Sequence, residues 1–308
     1  MTMASDLIVL IPTSGRADLL ARTLDSLAGC PLPEVYRETI VIENGPKGGA
    51  EEVVGRSNPA LRTRYMYRAE ANKSKALNAV LDEIDNGLVF LTDDDVRFAP
   101  NTLQAYAEAA AGIQTGQVFG GPLGIDYEKE PPDWLKAYLP VGSTGWIPDD
   151  KEPTAEPYIF SGANWAVFAA DLSRAGGFDP DRGPGAATGS TGQETEMQRR
   201  LYRQGFQCTY VPQAMVWHYV PAQRCSIRWA LKRARRSGIE FGIEQSGRDA
   251  SLLGVPRWMI RKWLGQSLRF ALTRCVPGTQ TRFKAARELC FLSGAIKGSR
   301  VARGRVSE

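Results

Sequence analysis

The chain opens with an unbroken apolar run, Leu7-Ile8-Val9-Leu10-Ile11, closed by Pro12. A run of that length with no polar alternation predicts a strand buried on both faces, and the proline ends it. Leu20, Leu24 and Leu27 then recur at helical spacing, which predicts a helix over 17–27. A second strand is predicted over 38–45, ending in the turn signal Asn44-Gly45. A helix over 75–84, a third strand over 88–91 and an alanine-rich helix over 101–111 follow. This β-α-β-α-β-α alternation implies an α/β fold with a Rossmann-like, mostly parallel sheet flanked by helices. No GxGxxG follows the first strand, which argues against a dinucleotide cofactor.

The pattern loosens after residue 111. Residues 116–124 are glycine-rich and strand-like, and 126–157 read as an ordered but mobile excursion rich in Pro, Gly and acids. Trp165-Ala166-Val167-Phe168 is another strand-like run. A pliable glycine-rich loop over 176–192 leads to a helix over 194–204, and 207–220 returns as one strand with His218 near its end. Basic helices are expected from Ser226 onward.

Composition narrows the class. With 308 residues, 43% hydrophobic and 23% charged, the chain has the make-up of an ordinary soluble protein with one large domain or one domain and an appendage. No apolar run approaches the length of a membrane span, and residues 1–6 lack a basic n-region, so neither a transmembrane helix nor a secretory signal is expected. The five cysteines (Cys30, Cys208, Cys225, Cys275, Cys290) have no CxxC spacing, which suggests reduced cytosolic thiols. The net charge of +4 hides an asymmetry. Residues 221–308 hold nineteen Lys and Arg against five Asp and Glu, a charge of +14, so the rest of the chain carries −10. An acidic body with a basic tail suits an anionic partner.

The candidate chemistry starts at Thr92-Asp93-Asp94-Asp95. Carboxylates crowded at a strand end repel, and a divalent cation with oxygen ligands relieves that cost. The carboxyl ends of strands are also where open α/β sheets bind ligands. Asp93 and Asp95 therefore read as a metal and nucleotide site; a solvated acidic turn is the bland alternative. His218, the only histidine, would complete a mixed oxygen and nitrogen set with Asp95 suited to Mn²⁺ or Mg²⁺. Gly192-Gln193-Glu194-Thr195-Glu196 puts two carboxylates in the first turn of a helix, one of which can face a cleft. Thr13-Ser14-Gly15-Arg16 and Asn72-Lys73-Ser74-Lys75 offer cations and helix-start N–H groups to an anion such as a diphosphate.

These pieces, in this order, resemble the inverting family 2 glycosyltransferases of GT-A fold, bacterial polysaccharide type: strand–Pro-Thr-x-x-Arg, Glu-Asn-Gly, Asn-Lys-x-Lys-Ala-Leu-Asn, Thr-Asp-Asp-Asp, Ser-Gly-Ala-Asn, Gly-Gly-Phe-Asp, Gly-Gln-Glu-Thr-Glu and His-Tyr-Val-Pro. The likeness covers roughly residues 6–221. It implies sugar transfer from a nucleotide-diphosphate sugar, a UDP-sugar favoured, to an acceptor hydroxyl, a glycan or lipid-linked glycan in cell-surface polysaccharide synthesis. It implies a divalent metal, Mn²⁺ or Mg²⁺, on Asp93, Asp95 and His218. Thr13, Arg16, Glu43, Lys75, Asp93 and Asp94 fall on the donor side. Ser161, Gly162, Ala163, Asn164 and Trp165 fall on the sugar and acceptor side. The family often reads Gly-Glu-Asp-x-Glu where this chain has Gln193-Glu194, so Glu194 is the expected catalytic base, with Glu196 second.

The expected division is a transferase domain over 1–221 and a basic helical region over 222–308, without nucleic-acid-binding motifs. In the latter, Arg224, Arg228, Lys232, Arg235 and Arg236 form a basic face. Residues 256–273 are expected to set Met259, Ile260, Trp263, Leu264, Phe270 and Ala271 on one side and Lys262, Gln266, Arg269 and Thr273 on the other. Such helices suit an anionic membrane surface, with a cytoplasmic protein held at the inner face of the cytoplasmic membrane. A helix packed on the catalytic domain is the alternative. A nucleotidyltransferase and a sugar-nucleotide-binding protein without catalysis share much of the same residue pattern.

Overall fold

The structure, a computed structural model, describes residues 5–148, 157–189, 191–245, 251–252, 254–273 and 278–306. They form two compact units. The first takes in Met1–Tyr127, Pro140–Pro180 and Gly192–Val220. The second takes in Glu128–Leu139, Asp181–Thr191 and Pro221–Glu308.

The first unit is built on ten strands: β1 (Leu7–Thr13), β2 (Tyr36–Asn44), β3 (Thr63–Arg68), β4 (Leu88–Leu91), β5 (Val96–Phe98), β6 (Gln117–Gly120), β7 (Leu123–Tyr127), β8 (Trp165–Phe168), β9 (Gln207–Tyr210) and β10 (Val216–Val220). Seven of them form a central sheet in the order β3-β2-β1-β4-β8-β6-β9. β8 alone runs antiparallel to its neighbours β4 and β6. The others pair in parallel, β1 with both β2 and β4. The mostly parallel α/β sheet expected from the sequence is therefore present, with helices α1 (Ala17–Ala28), α2 (Ala50–Gly55), α3 (Lys73–Leu81), α4 (Thr102–Ala109), α5 (Asp133–Lys136), α6 (Val141–Thr144), α7 (Ala169–Arg174) and α8 (Gln193–Arg203) between β1 and β9 along the chain.

Both faces of this sheet are covered, which explains the unbroken apolar run of β1. Leu7, Val9 and Ile11 pack with Leu20, Leu24 and Leu27 of α1 (Ala17–Ala28) and with Val41 and Phe90. Ile8 and Leu10 pack on the other face with Ile40, Ile42, Leu77, Val80 and Trp165. In the alternating pleat, a strand with two dry faces needs an apolar residue at every position.

Two departures concern the strands. The apolar pattern does not predict β3, because Thr63-Arg64-Tyr65-Met66-Tyr67-Arg68 is half polar, as an edge strand with partly exposed side chains allows. The single strand expected over 207–220 is two strands in different sheets, separated at Val211–Met215. β9 closes the central sheet, while β10 lies between β5 and β7 in a second, three-stranded sheet. Of the excursion over 126–157, residues 149–156 lie outside the described residues, and 141–144 form a short helix.

In the second unit, α9 (Ile227–Glu244) and α11 (Thr279–Val306) meet through small residues. A Cβ on Gly238 would stand 2.0 Å from the Phe291 carbonyl oxygen, and one on Gly294 equally close to that of Arg235. Backbones in such contact exclude any side chain there. Arg228, Lys232, Arg235 and Arg236 are exposed, as the spacing predicted. The intervening helix α10 (Arg257–Leu272) is laid differently from expectation. Met259 is buried, and Trp263 Nε1 and Gln266 Nε2, expected on opposite sides, donate to Ser293 and Ala285 of α11 at 2.9 and 3.2 Å. Leu264, expected beside Trp263 and Met259, is exposed. A helix docked on a neighbour buries whichever stripe that neighbour covers, and polar Gln266 falls within it. Among the described residues no helix is long and apolar enough to cross a membrane. Cys30, Cys208, Cys225 and Cys290 are free thiols, and Cys275 lies outside the described residues.

Candidate active site

β1 has β2 on one side and β4 on the other, so the chain reverses its direction of travel across the sheet at this strand. Such a switch point opens a crevice at the carboxyl ends of the strands. Thr13 closes β1 opposite Glu43 of β2, and Thr92-Asp93-Asp94-Asp95 follows β4 directly. β5 then pairs with β10, setting His218 opposite Val96, while the Tyr219 N–H donates to the Asp95 carbonyl at 2.8 Å. That pairing brings a histidine more than a hundred residues away to the acidic segment.

The three aspartates have different surroundings. Asp94 is fully buried. It accepts the Thr13 hydroxyl at 2.6 Å and Arg16 Nε at 3.1 Å. Burial pushes its carboxyl up to about 6, against the pull of Arg16. Asp95 accepts Arg16 Nη1 at 2.7 Å on one oxygen, and His218 Nε2 stands 3.1 Å from the other. Burial disfavours its charge, but His218 and Arg16 outweigh burial and hold it below the usual carboxylate range. Asp93 accepts Lys73 Nζ at 2.8 Å. Burial again opposes ionisation, and the Lys73 charge overcomes it.

Donor atoms of Asp93, Asp95 and His218 lie within 4.8 Å of one another. His218 Nδ1 is 2.6 Å from the Gly142 carbonyl, which can only accept, so Nδ1 carries a proton and Nε2 faces Asp95. A backbone carbonyl behind the ring is the usual support of a metal-bound histidine. Two hard oxygens and one imidazole nitrogen fit a divalent cation such as Mn²⁺.

Glu194 enters from α8 (Gln193–Arg203), which starts after Gly192 at φ +89°. Lys73 Nζ donates to Glu194 Oε1 at 2.9 Å, and Gln193 Nε2 donates to the same oxygen at 2.7 Å. Among the described residues, Oε2 has no hydrogen-bond donor. Gly162 lies beneath: a Cβ there would be 2.7 Å from Glu194 Cδ. Lys73 remains protonated well above its ordinary range, since two carboxylates outweigh the cost of burial.

Several expected residues stand elsewhere. Glu196 pairs with Arg200 at 2.8 Å, and Arg200 also donates to the carbonyls of Ala175 and Gly177. It ties down a loop instead of joining the cluster, because a residue two positions along a helix points another way. Lys75 is exposed and bonds Glu70 at 2.6 Å. Lys73 takes the place at the cluster. Asn72 caps α3 (Lys73–Leu81) by accepting the Lys75 N–H at 3.0 Å, so Lys73 is the first helical residue. The Asn-Lys-x-Lys pattern held this signal: a capping asparagine marks the lysine after it as the one at the helix tip. Glu43 is buried, accepting the Gly48 N–H and the Tyr65 hydroxyl, both at 2.6 Å.

The residues expected on the sugar and acceptor side are mostly interior. Asn164 is fully buried, accepts the Tyr106 hydroxyl and donates to the carbonyls of Pro122 and Ala214, each at 2.8 Å. Trp165 lies in the core against Phe178, and Ala163 is buried with its carbonyl accepting Thr92. Only Gly162 of this set meets Glu194. Asn164, buried with its polar atoms spent on neighbours, has no surface for a sugar and holds the strand ends together.

Residues 8–170, more than half of the chain, match the family described as glycosyl transferase family 2. The chain belongs to that family. The transferase is 28% identical over 285 residues to the succinoglycan biosynthesis protein ExoM of Rhizobium meliloti, covering 90% of this chain and 82% of that protein. It is 29% identical over 229 residues to a validoxylamine A glucosyltransferase of Streptomyces hygroscopicus, covering 66% of this chain and 53% of the relative. Among solved structures, a mannosyltransferase of Pyrobaculum calidifontis in complex with GDP-Man and Mn²⁺ superposes with a TM-score of 0.59 at 19% identity, over 96% of this chain and 88% of that one. At that identity the likeness establishes the fold: the transferase has the GT-A architecture.

Proposed function

We propose that the transferase moves a sugar from a nucleotide-diphosphate sugar to an acceptor hydroxyl with inversion, using Glu194 as base beside a divalent metal held by Asp93, Asp95 and His218. The observation that carries this reading is Lys73, whose ammonium contacts Asp93 and Glu194 together and so sets a carboxylate base next to the metal-binding set. The mannosyltransferase of the same fold is described with a nucleotide-sugar and Mn²⁺, which supports both donor class and metal.

A divalent cation there would offset charge on the departing diphosphate. The chain's own residues do the rest. Arg16 and Lys73 supply fixed positive charge on two sides of the aspartates. Glu194 Oε2 accepts the hydroxyl proton as the acceptor oxygen attacks C1 from the face opposite the diphosphate. The C1–oxygen bond to phosphate breaks and the anomeric centre inverts. Thr13 and Glu43, on adjacent strand ends, support the nucleotide side from behind through Asp94, Gly48 and Tyr65, and a UDP-sugar is the favoured donor.

The name of the relative matched over most of its length, succinoglycan biosynthesis protein, favours a glycan or lipid-linked glycan acceptor in polysaccharide synthesis. Residues 1–221 form the transferase domain in this reading, and the basic helices of 222–308 meet an anionic membrane surface.

The test is a calorimetric titration and turnover assay with UDP-, GDP-, dTDP- and CMP-sugars, with Mn²⁺ or with chelator, on the native chain and on Glu194→Gln. One donor should bind in a metal-dependent manner. Glu194→Gln should keep that affinity and lose about 100-fold or more of turnover. Full turnover by the variant removes Glu194 as base, and no donor binding under either condition removes the site.

A further inference from the structure

Helix α10 carries a stripe of apolar side chains that, among the described residues, no other side chain of its own unit covers. Leu264, Leu268 and Leu272 are 57, 64 and 59% exposed. Four-residue spacing stacks them on one face over about 12 Å. Arg257 and Arg261 continue the same row toward the helix start, and both are exposed. Exposed Lys262 and Arg269 flank it, Lys262 lying over the Trp258 ring. The sixteen residues of α10 include no acid.

The inner face of the helix is already spent: Met259 is buried and Trp263 and Gln266 bond α11. The leucine row is thus a second apolar face, distinct from the one that folding uses. Leucines in the open are unfavourable unless something buries them, and single ones are common whereas an aligned row flanked on its own helix only by cations is not.

We propose that the Leu264–Leu268–Leu272 row of α10, framed by Arg257, Arg261, Lys262 and Arg269, is an in-plane docking face for an anionic lipid bilayer. The charge pattern selects the occupant. A second copy of this chain would oppose cation to cation, whereas acidic headgroups meet the arginines as the leucines enter the acyl boundary. The apolar row is far shorter than a bilayer core, so the helix lies on the surface and does not cross it. The proposal names the surface behind the membrane partner suggested above, and its test does not depend on the sugar chemistry.

Full-length protein is sedimented with phosphatidylcholine vesicles, with and without about one-third phosphatidylglycerol. Binding should require the anionic lipid and weaken as salt rises above about 0.1 M. The triple change Leu264→Gln, Leu268→Gln and Leu272→Gln should lower partition at least about tenfold while the melting temperature holds, since all three are exposed. The pair Arg257→Gln and Arg261→Gln should reduce the preference for anionic vesicles, which keeps the proposal open to refutation if the triple variant folds poorly. Absence of vesicle binding, or equal binding by a folded leucine variant, overturns it. So does a dimer in ultracentrifugation that the leucine changes dissolve, since a second copy then covers the row. Asp93→Asn should abolish donor binding and leave vesicle binding intact, so failure of the transferase reading and failure of this one are separable.

Discussion

Lys73 and Glu194, 121 positions apart in sequence, meet through a 2.9 Å contact between Nζ and Oε1, and the same ammonium lies 2.8 Å from Asp93. One cation therefore joins the metal-binding set to the carboxylate proposed as base. Asp93 and Glu194 would otherwise face each other with like charge in a largely buried place.

Replacing Lys73 tests that link. Lys73→Gln leaves the two carboxylates unscreened and takes positive charge from the donor side. We expect kcat/KM to fall at least about tenfold, with Lys73→Arg recovering part of it, because a guanidinium keeps the charge but not the compact shape. Equal rates for Lys73→Gln and the native enzyme would separate Lys73 from the reaction.

Gly162 gives a second test with little change in charge. A methyl at this position would sit 2.7 Å from Glu194 Cδ, so Gly162→Ala should turn Glu194 away from Lys73. Turnover should fall by about 10- to 100-fold, as for a misplaced catalytic group, while donor affinity is retained. Loss of donor affinity with unchanged kcat would contradict this placement.

Asn164 should behave as a structural residue. Asn164→Ala strands the Tyr106 hydroxyl and the carbonyls of Pro122 and Ala214 inside the protein. Denaturant titration should show a loss of about 2–4 kcal/mol. Enzyme that remains folded should keep its acceptor KM; a raised KM at native stability would return Asn164 to the acceptor side.

Alkaline stability follows from two buried groups. Burial pushes the Cys30 thiol up to about 11 and the Tyr36 hydroxyl up to about 12. Both are acids that ionise more readily in the unfolded chain, so the unfolded state loses protons first. Stability therefore falls as pH rises from the unfolded thiol pKa near 9 toward 11, and for Tyr36 one unit later. At pH 10 the Cys30 contribution is about 1 kcal/mol. Urea midpoints at pH 8 and 10 should show the decline, and Cys30→Ala should make it shallower. An identical slope in the variant would exclude Cys30 as a source.

Much of the site was legible because its signals are local. The run Leu7–Ile11 and the acids after Leu91 mark strands and their ends with no knowledge of partners. His218 could be joined to Asp95 by chemistry alone, since one histidine and a crowded acidic turn ask for the same cation. The resemblance implies Lys75 on the donor side, whereas the bond from the Lys75 N–H to Asn72 makes Lys73 the first helical residue and the one at the cluster. The resemblance sets Asn164 on the acceptor side, and only its bonds to the carbonyls of Pro122 and Ala214 show it facing inward.

The sequence by itself determined the strand-and-helix alternation, the acidic strand end and the basic tail, because periodicity and charge are properties of neighbours along the chain. Tertiary structure alone decided that β10 pairs with β5, that Lys73 bridges Asp93 and Glu194, that Glu196 turns to Arg200, and that Leu264 faces outward while Trp263 faces α11. The direction a side chain takes at the end of an element is set by register and by what packs against it. Those contacts join residues far apart in the chain, and no local pattern encodes them.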